Sequence, residues 1–258
     1  MSERTGIEWT DSTWNPVTGC TQISAGCDNC YALTLANRLL KTQYTSIAPA
    51  NPTASNSQDP FAVRVWRERL TEPAKWKSPR RVFVNSMGDL FHVDVPDSHI
   101  RDVFRVMLSA NTHIYQVLTK RPARMERFIR RNMDMFDRGM VPKHIWLGTS
   151  VENQKSCARI RQLQRVPATV RFLSCEPLLG PIAPDLDGIH WVIAGGESGV
   201  THRKLKLDWV RSLRDVCAAG HVPFFFKQVG GRTPKAGGRQ LDGKTWSQYP
   251  NIALGSAL

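Results

Sequence analysis

The sequence predicts an α/β protein built on a parallel (β/α) barrel, TIM-like or partial, with an irregular insertion after the first helix. Three observations predict it. Short apolar runs alternate with amphipathic stretches of helical period, the pattern of strand–helix units joined by crossovers. The runs are near-continuously apolar, as strands covered on both faces must be. Polar, chemistry-bearing residues gather immediately after the runs, at the strand ends where parallel folds bind ligands. An open doubly wound sheet satisfies the same alternation, and both architectures stay open at this point. With 258 residues, 41% hydrophobic and 22% charged, the chain suits one domain, 1–258, with a sizeable core.

In order, WNPVTG (14–19) opens the sheet and a helix over 28–41 follows it. The stretch 42–80 then interrupts the alternation. Its first half, TQYTSIAPANPTASNSQDP, is rich in turn-forming residues and reads as surface loop, and FAVRVWRERLTEPAKWKSPR continues it, basic and with two tryptophans. RVFVNS (81–86) is the next strand, followed by a helix over 97–111 that begins at Asp97. IYQVLT (114–119) leads to a helix over 122–137, with Pro122 in its first turn and Gly139 past its end. IWLGTS (145–150) precedes a helix over 152–165. VRFLSC (170–175) and HWVIAG (190–195) are strands, and a helix over 207–219 starts near Asp208 and stops before Gly220. VPFFFK (222–227) closes the series. The Gly-rich basic tail, 230–258, is expected to be irregular.

Thirty-five Lys and Arg against 22 Asp and Glu give a net charge of +13 and a pI near 9.9. That excess suits a nucleic-acid partner, DNA or RNA; a generally basic surface is the plainer account. The cations are spread over RRVF (80–83), TKRPARMERFIRR (119–131) and THRKLK (201–206), which fits a broad groove better than a basic tail. No apolar run approaches the roughly 18–20 residues of a membrane span, so no membrane association is expected. The opening MSERTGIEWTDSTW lacks the apolar core of a leader, making the cytoplasm the expected compartment.

Six cysteines in a reducing compartment argue against a disulfide framework. Cys157 and Cys217 fall within amphipathic patterns and read as core residues. Cys20, Cys27 and Cys30 are different: GCTQISAGCDNC spaces them C-x6-C-x2-C just ahead of a helix. A helix start favours the deprotonated, metal-binding thiolate. Three ligands leave one position to fill. Structural zinc takes four, so zinc needs a distant completing ligand (the next histidine is His92), whereas catalytic zinc leaves one position open. A 4Fe–4S cluster on three thiolates keeps one iron free for a small molecule. A redox CxxC leaves Cys20 unexplained.

The opening TGIEWTDSTWNPVTGC (5–20), with MGDLFH, LTKRP, GTSVEN, FLSCEP and GGESG further on, resembles a phage-associated protein family of unknown function with a three-cysteine motif, over most of the chain. More loosely, the chain resembles the radical S-adenosylmethionine (SAM) superfamily, in its spore-photoproduct-lyase-like branch. This second resemblance implies a full or partial (β/α) barrel and a 4Fe–4S cluster on Cys20, Cys27 and Cys30, whose open iron chelates SAM. It implies reductive cleavage of SAM to a 5′-deoxyadenosyl radical and an electron donor such as a flavodoxin or ferredoxin. The first cysteine gap is longer than the superfamily's C-x3-C-x2-C, but extra loop length costs little entropy.

On that resemblance, Met87, Gly88 and Asp89 stand where the SAM amino group is bound, Gly88 for close approach and Asp89 as acceptor. Ser150 and Glu152, with Asn153, line the adenosine side, and Glu176 contacts SAM or substrate. Gly195, Gly196 and Glu197 cradle a ribose or carboxylate. Lys120, Arg121, Arg124, Arg203 and Lys204 are expected phosphate contacts. Lys120 doubles as a catalytic candidate beside Cys175, a strand-end thiol placed to donate hydrogen or complete a metal site. Trp9 and Trp14 shield the cluster or stack on a base. Each has a plainer reading: turn glycines, helix caps, solvated charges, a buried thiol, core tryptophans. The leading expectation is a radical-SAM-like enzyme that modifies or repairs a nucleic acid or nucleotide. The alternatives are a zinc-dependent nucleic-acid hydrolase and a basic nucleic-acid-binding protein with a structural metal.

Overall fold

The computed structural model describes residues 5–233 and 235–252. Residues 1–4, read above for a leader, and residues 234 and 253–258 of the basic tail lie outside the described residues. Along the chain come β1 (Ser12–Trp14), β2 (Val17–Thr18), α1 (Tyr31–Arg38), the single turn α2 (Lys41–Tyr44), β3 (Arg64–Val65) and β4 (Arg81–Val84). Regular alternation follows: α3 (Asp97–Ser109), β5 (Ile114–Thr119), α4 (Pro122–Arg131), β6 (Val141–Ser150), α5 (Ala158–Gln164) and β7 (Ala168–Cys175). β8 (Trp191–Gly195), α6 (Leu207–Ala219) and β9 (Phe224–Gln228) complete it, and a small hairpin of β10 (Gln240–Leu241) and β11 (Lys244–Thr245) comes last.

Seven of these strands form one parallel sheet in the order β1-β4-β5-β6-β7-β8-β9. The order never reverses, so the sheet has no switch point and the doubly wound alternative falls away. The sheet curls into a half-barrel with β1 and β9 as its outer strands.

Strand periodicity separates two faces. Val82, Val117, Leu147, Leu173 and Ala194 point outward into the main core, against Phe104, Phe128, Leu163 and Leu213 of the helices. Phe83, Trp146, Phe172, Trp191 and Phe225 point inward and pack with Trp9 as an aromatic floor. Ring centroids in the floor stand 4.7 Å apart for Trp9–Phe83 and 5.5 Å for Trp146–Trp191. Gly148 is required there, since a Cβ would lie 2.5 Å from the Phe172 ring. Tyr249 stacks on Trp191 at 5.2 Å and closes the floor from below.

Several sequence expectations change in detail. WNPVTG is not one strand: Pro16 cannot donate to a ladder, so the chain breaks at Asn15–Pro16 and β2 turns to pair antiparallel with β3. The helix expected over 122–137 stops at Arg131 and continues as short 3-10 turns, and 152–165 begins as a 3-10 turn, Gln154–Cys157. The insertion is better organised than a surface loop. Arg64 is fully buried and donates to the carbonyls of Ile47, Ser57, Asp59 and Ala62, folding the segment around one guanidinium. The tail, expected to be irregular, contains the β10–β11 hairpin, with Leu241 in the core. Among the described residues no helix is long and apolar enough to cross a membrane.

Candidate functional site

The cysteine loop roofs the inward face at the carboxyl ends of the strands. It leaves β2 at Gly19, whose φ of +83° and contact with Ala62 O exclude a side chain, since a Cβ would lie 2.2 Å from that oxygen. Its attachments then cross the half-barrel. Arg121, after β5, donates to Thr21 O at 3.1 Å and to Cys20 Sγ at 3.4 Å. Ser24 Oγ donates to Glu152 Oε1, after β6, at 2.7 Å, and Gly26 lies so close over Glu152 that a Cβ would meet its Cγ at 2.5 Å. Asn29 Nδ2 donates to Glu197 Oε2, after β8, at 2.8 Å. Tyr31 Oη donates to Ser86 O, after β4, at 2.5 Å. Cys30 caps α1 and Cys27 ends the short turn Ala25–Cys27. One loop thus touches the segments that follow four strands.

Beneath it lies a ring of carboxylates, each from a different strand end and each facing a cation from elsewhere. Asp89 takes Arg121 Nη1 at 2.9 Å and Thr119 Oγ1 at 2.7 Å. Glu152, fully buried, takes Arg159 at 2.9 Å, Lys120 at 3.4 Å and Ser156 Oγ at 2.7 Å. Glu197 binds Arg203 Nη2 at 2.6 Å. Glu176 accepts from Trp9 Nε1 at 3.2 Å and Ser174 Oγ at 3.3 Å through Oε2 only. Lys227 Nζ stands 3.3 Å from Glu176 Oε1 without hydrogen-bond alignment, so that buried oxygen has no hydrogen-bond donor.

Burial would push Glu152 upward, but Lys120, Arg159 and the Ser24 and Ser156 hydroxyls outweigh it and hold the carboxyl below its usual range. Glu197 is depressed in the same way, by hydrogen bonds from Arg203 and Asn29 that outweigh burial. The Cys20 thiol is pushed up to about 11, chiefly by burial and further by Asp89 and Cys27, with Arg121 opposing. The ring of Tyr31 is half exposed while its hydroxyl end is enclosed; burial, with Cys30 and Glu176 nearby, holds that hydroxyl above its ordinary range.

The geometry revises several sequence expectations. Cys175 is no rim thiol: strand parity turns Ser174 and Glu176 inward and Cys175 outward, into the fully buried core that also holds Cys217. Burial raises its thiol well above the ordinary value, so it stays protonated, and its place in the core keeps it from the rim where a hydrogen donor would have to stand. Cys217 is core as expected, and Cys157 is half-buried against it. The glycines are filled by the protein itself. A Cβ on Gly88 would lie 2.9 Å from Gly19 O, on Gly195 2.8 Å from Glu176 Oε1, and on Gly196 1.8 Å from Val229 O. They permit chain-to-chain approach and leave no open cradle. Met87 packs under α1 with Ala36 and Trp66.

Asp89, with four donors of its own, is already satisfied by Arg121, Thr119 and the Phe91 and Lys120 amides. Lys120 is paired with Glu152, and Arg203 with Glu197 and Asp28, so neither is an open phosphate contact. Arg124 is bound to His92 O, Val95 O and Asp97. Lys204 is exposed and Ser150 is buried on the inward face. Trp9 belongs to the floor, while Trp14, bonded to Arg69 O at 2.8 Å, belongs to the outer core. Sequence reasoning missed Lys227 as the partner of Glu176, and Ser24 and Asn29 as the latches of the loop. The polar letters flanking Cys27 were the available signal for the latches.

All six cysteines are free thiols, and the three in the loop are half-buried. In number and chemistry they fit an iron–sulfur or zinc donor set. Among the described residues no group of three or more His, Cys, Asp or Glu side chains is gathered around a common point. Sharing one centre therefore requires the loop to draw its thiols together.

The model of a family described as a protein of unknown function, DUF5131, matches residues 4–250. No curated protein and no solved structure matches the chain.

Proposed function

We propose that this chain, which belongs to the DUF5131 family, is a radical-SAM-type iron–sulfur enzyme acting on a nucleic acid or nucleotide. The observation that carries the reading is the roof: three free thiols on one loop, latched across strand ends that also carry Glu176, whose buried Oε1 has no hydrogen-bond donor. Cys20, Cys27 and Cys30 would hold the cluster. A cluster held there would supply one-electron reduction of SAM, splitting it into methionine and the 5′-deoxyadenosyl radical that takes hydrogen from a substrate.

The chain's own residues do the rest. Glu176 Oε1 offers an ammonium an acceptor without displacing a donor, and Lys227 beside it offers a carboxylate a cation. Alternating charges around the rim suit a zwitterion such as an amino-acid headgroup. The aromatic floor of Trp9, Trp146, Trp191, Phe172 and Phe225 excludes water from below. Six free thiols fit a reducing cytoplasm, and the net charge of +13 fits both a nucleic acid and an acidic one-electron donor such as a flavodoxin or ferredoxin.

A specific observation keeps zinc in view. His92 Nε2 lies 2.8 Å from Thr21 Oγ1, one residue from Cys20, where a fourth ligand could come from. Reconstitution with iron and sulfide under exclusion of oxygen, followed by dithionite and SAM, separates the readings. The expected result is brown protein that releases 5′-deoxyadenosine. Colourless protein with stoichiometric zinc supports the hydrolase, and a loaded cluster without 5′-deoxyadenosine ends the radical assignment. Cys20→Ala, Cys27→Ala and Cys30→Ala should each abolish iron loading, while Cys217→Ala, in the outer core, should leave it intact.

A further inference from the structure

Away from the rim, α4 carries a charged cavity that the reading above does not use. Arg124, Arg127 and Arg131 stand on one stripe of the helix, at i, i+3 and i+7. They wall a cavity of about 190 Å³ together with Phe128, and Asp97 from the first turn of α3 completes the lining. The three arginines are not equivalent. Arg124 is committed to His92 O, Val95 O and the Asp97 carboxylate. Arg127 and Arg131 are exposed, and among the described residues neither has a hydrogen-bond or ion-pair partner.

Their neighbours behave otherwise. Arg130 and Arg165 share Glu126, Arg105 pairs with Asp102, and Arg101 pairs with Asp134. Asp97 neutralises Arg124, so the cavity keeps two uncommitted charges four residues apart, an arrangement that disfavours the helix. The helix dipole accounts for Arg131 in the last turn but not for Arg127 in the middle.

We infer that the α4 cavity seats a backbone phosphate of a nucleic acid, gripped by Arg127 and Arg131. The guanidinium fork matches a phosphate bidentately, and the phosphodiester repeat is shared by DNA and RNA. α4 begins at Pro122, directly after Lys120 and Arg121 on the rim, and a helix of its length spans about 15 Å. A strand held there leads along the helix towards the roof. The inference rests on the nucleic-acid part of the proposed function and states where that partner's backbone lies. It also moves the expected phosphate contacts from Lys120, Arg121 and Arg203, which are consumed in internal pairs, to α4.

The test is fluorescence anisotropy of the full chain with labelled single-stranded DNA and RNA over a salt series. The Arg127→Ala/Arg131→Ala double variant should bind roughly tenfold more weakly, with a slope of log affinity against log salt shallower by about 1 per arginine. Its circular dichroism should match wild type and its Tm should be no lower, because both side chains are exposed and removing them relieves a like-charge pair. Lys244→Ala, which removes an exposed charge from the hairpin, should change neither. Salt-dependent binding by wild type that the double variant retains in full overturns the α4 site and leaves the nucleic-acid reading standing. Failure of wild type to bind either nucleic acid overturns both.

Discussion

The floor and the roof of the half-barrel sit at opposite ends of the same inward face, and they are held by different forces. The floor is aromatic contact: Trp9, Trp146, Trp191, Phe172 and Phe225 exclude water and lock one another by shape. The roof is polar: residues 20–31 are tied down by hydrogen bonds to Arg121, Glu152 and Glu197 and by the Asp28–Arg203 ion pair, and contribute little apolar burial. Apolar packing of this kind is not exchanged for anything water can offer, whereas each polar latch competes with hydration. The contrast predicts a rigid base and a loop able to rearrange around its thiols.

Trp191→Ala should break the floor hardest. The ring is fully buried and contacts Trp9, Trp146, Phe172 and Phe225, so about 3–5 kcal/mol of unfolding free energy should be lost in urea titration. A smaller loss would mean that the floor collapses onto the gap and is softer than described.

Glu152→Gln sharpens the other side. It keeps the side-chain shape but leaves Lys120 and Arg159 without their counter-charge, at a cost of about 2 kcal/mol. Hydrogen exchange should speed up for amides of residues 20–30 and stay unchanged for β7 and β8. Equal acceleration in both would show that roof and floor open together.

Acid should act on the roof more gently. Glu152 and Glu197 are held below the ordinary carboxylate value, so their contribution is complete above the unfolded pKa of about 4.3 and is lost as pH falls through the lower folded values. The Tm should therefore hold steady from neutral pH to about pH 5 and decline below it, with the roof amides losing protection before those of the floor. A decline that begins near neutrality would point to other groups.

The regular part of the fold was legible because its signals are local. IYQVLT and HWVIAG are apolar on both faces and could only be covered strands, and Pro122 and Asp97 mark real helix starts. The first strand was misjudged because Trp14 and Val17 read as one run, while Pro16 between them lacks the amide a ladder needs. The site was legible only in outline. Strand ends were identified, but which face Cys175 takes depends on register, and a shift of one residue reverses it. Lys227 on β9 pairs with Glu176 and Lys120, after β5, with Glu152, and pairings across the sheet leave no trace in neighbouring letters. Arg64 reads as a surface cation until the carbonyls it collects are seen.

The half-barrel ends in two border strands, and an unprotected border invites other chains to add to it. Here one is only three residues long, at β1. The other, on β9, is covered by the segment around Ser247: Phe226 N donates to Trp246 O at 3.0 Å and Gln248 N to Phe224 O at 3.2 Å. That short closing stretch covers the β9 border, and trimming it should raise the chain's tendency to self-associate.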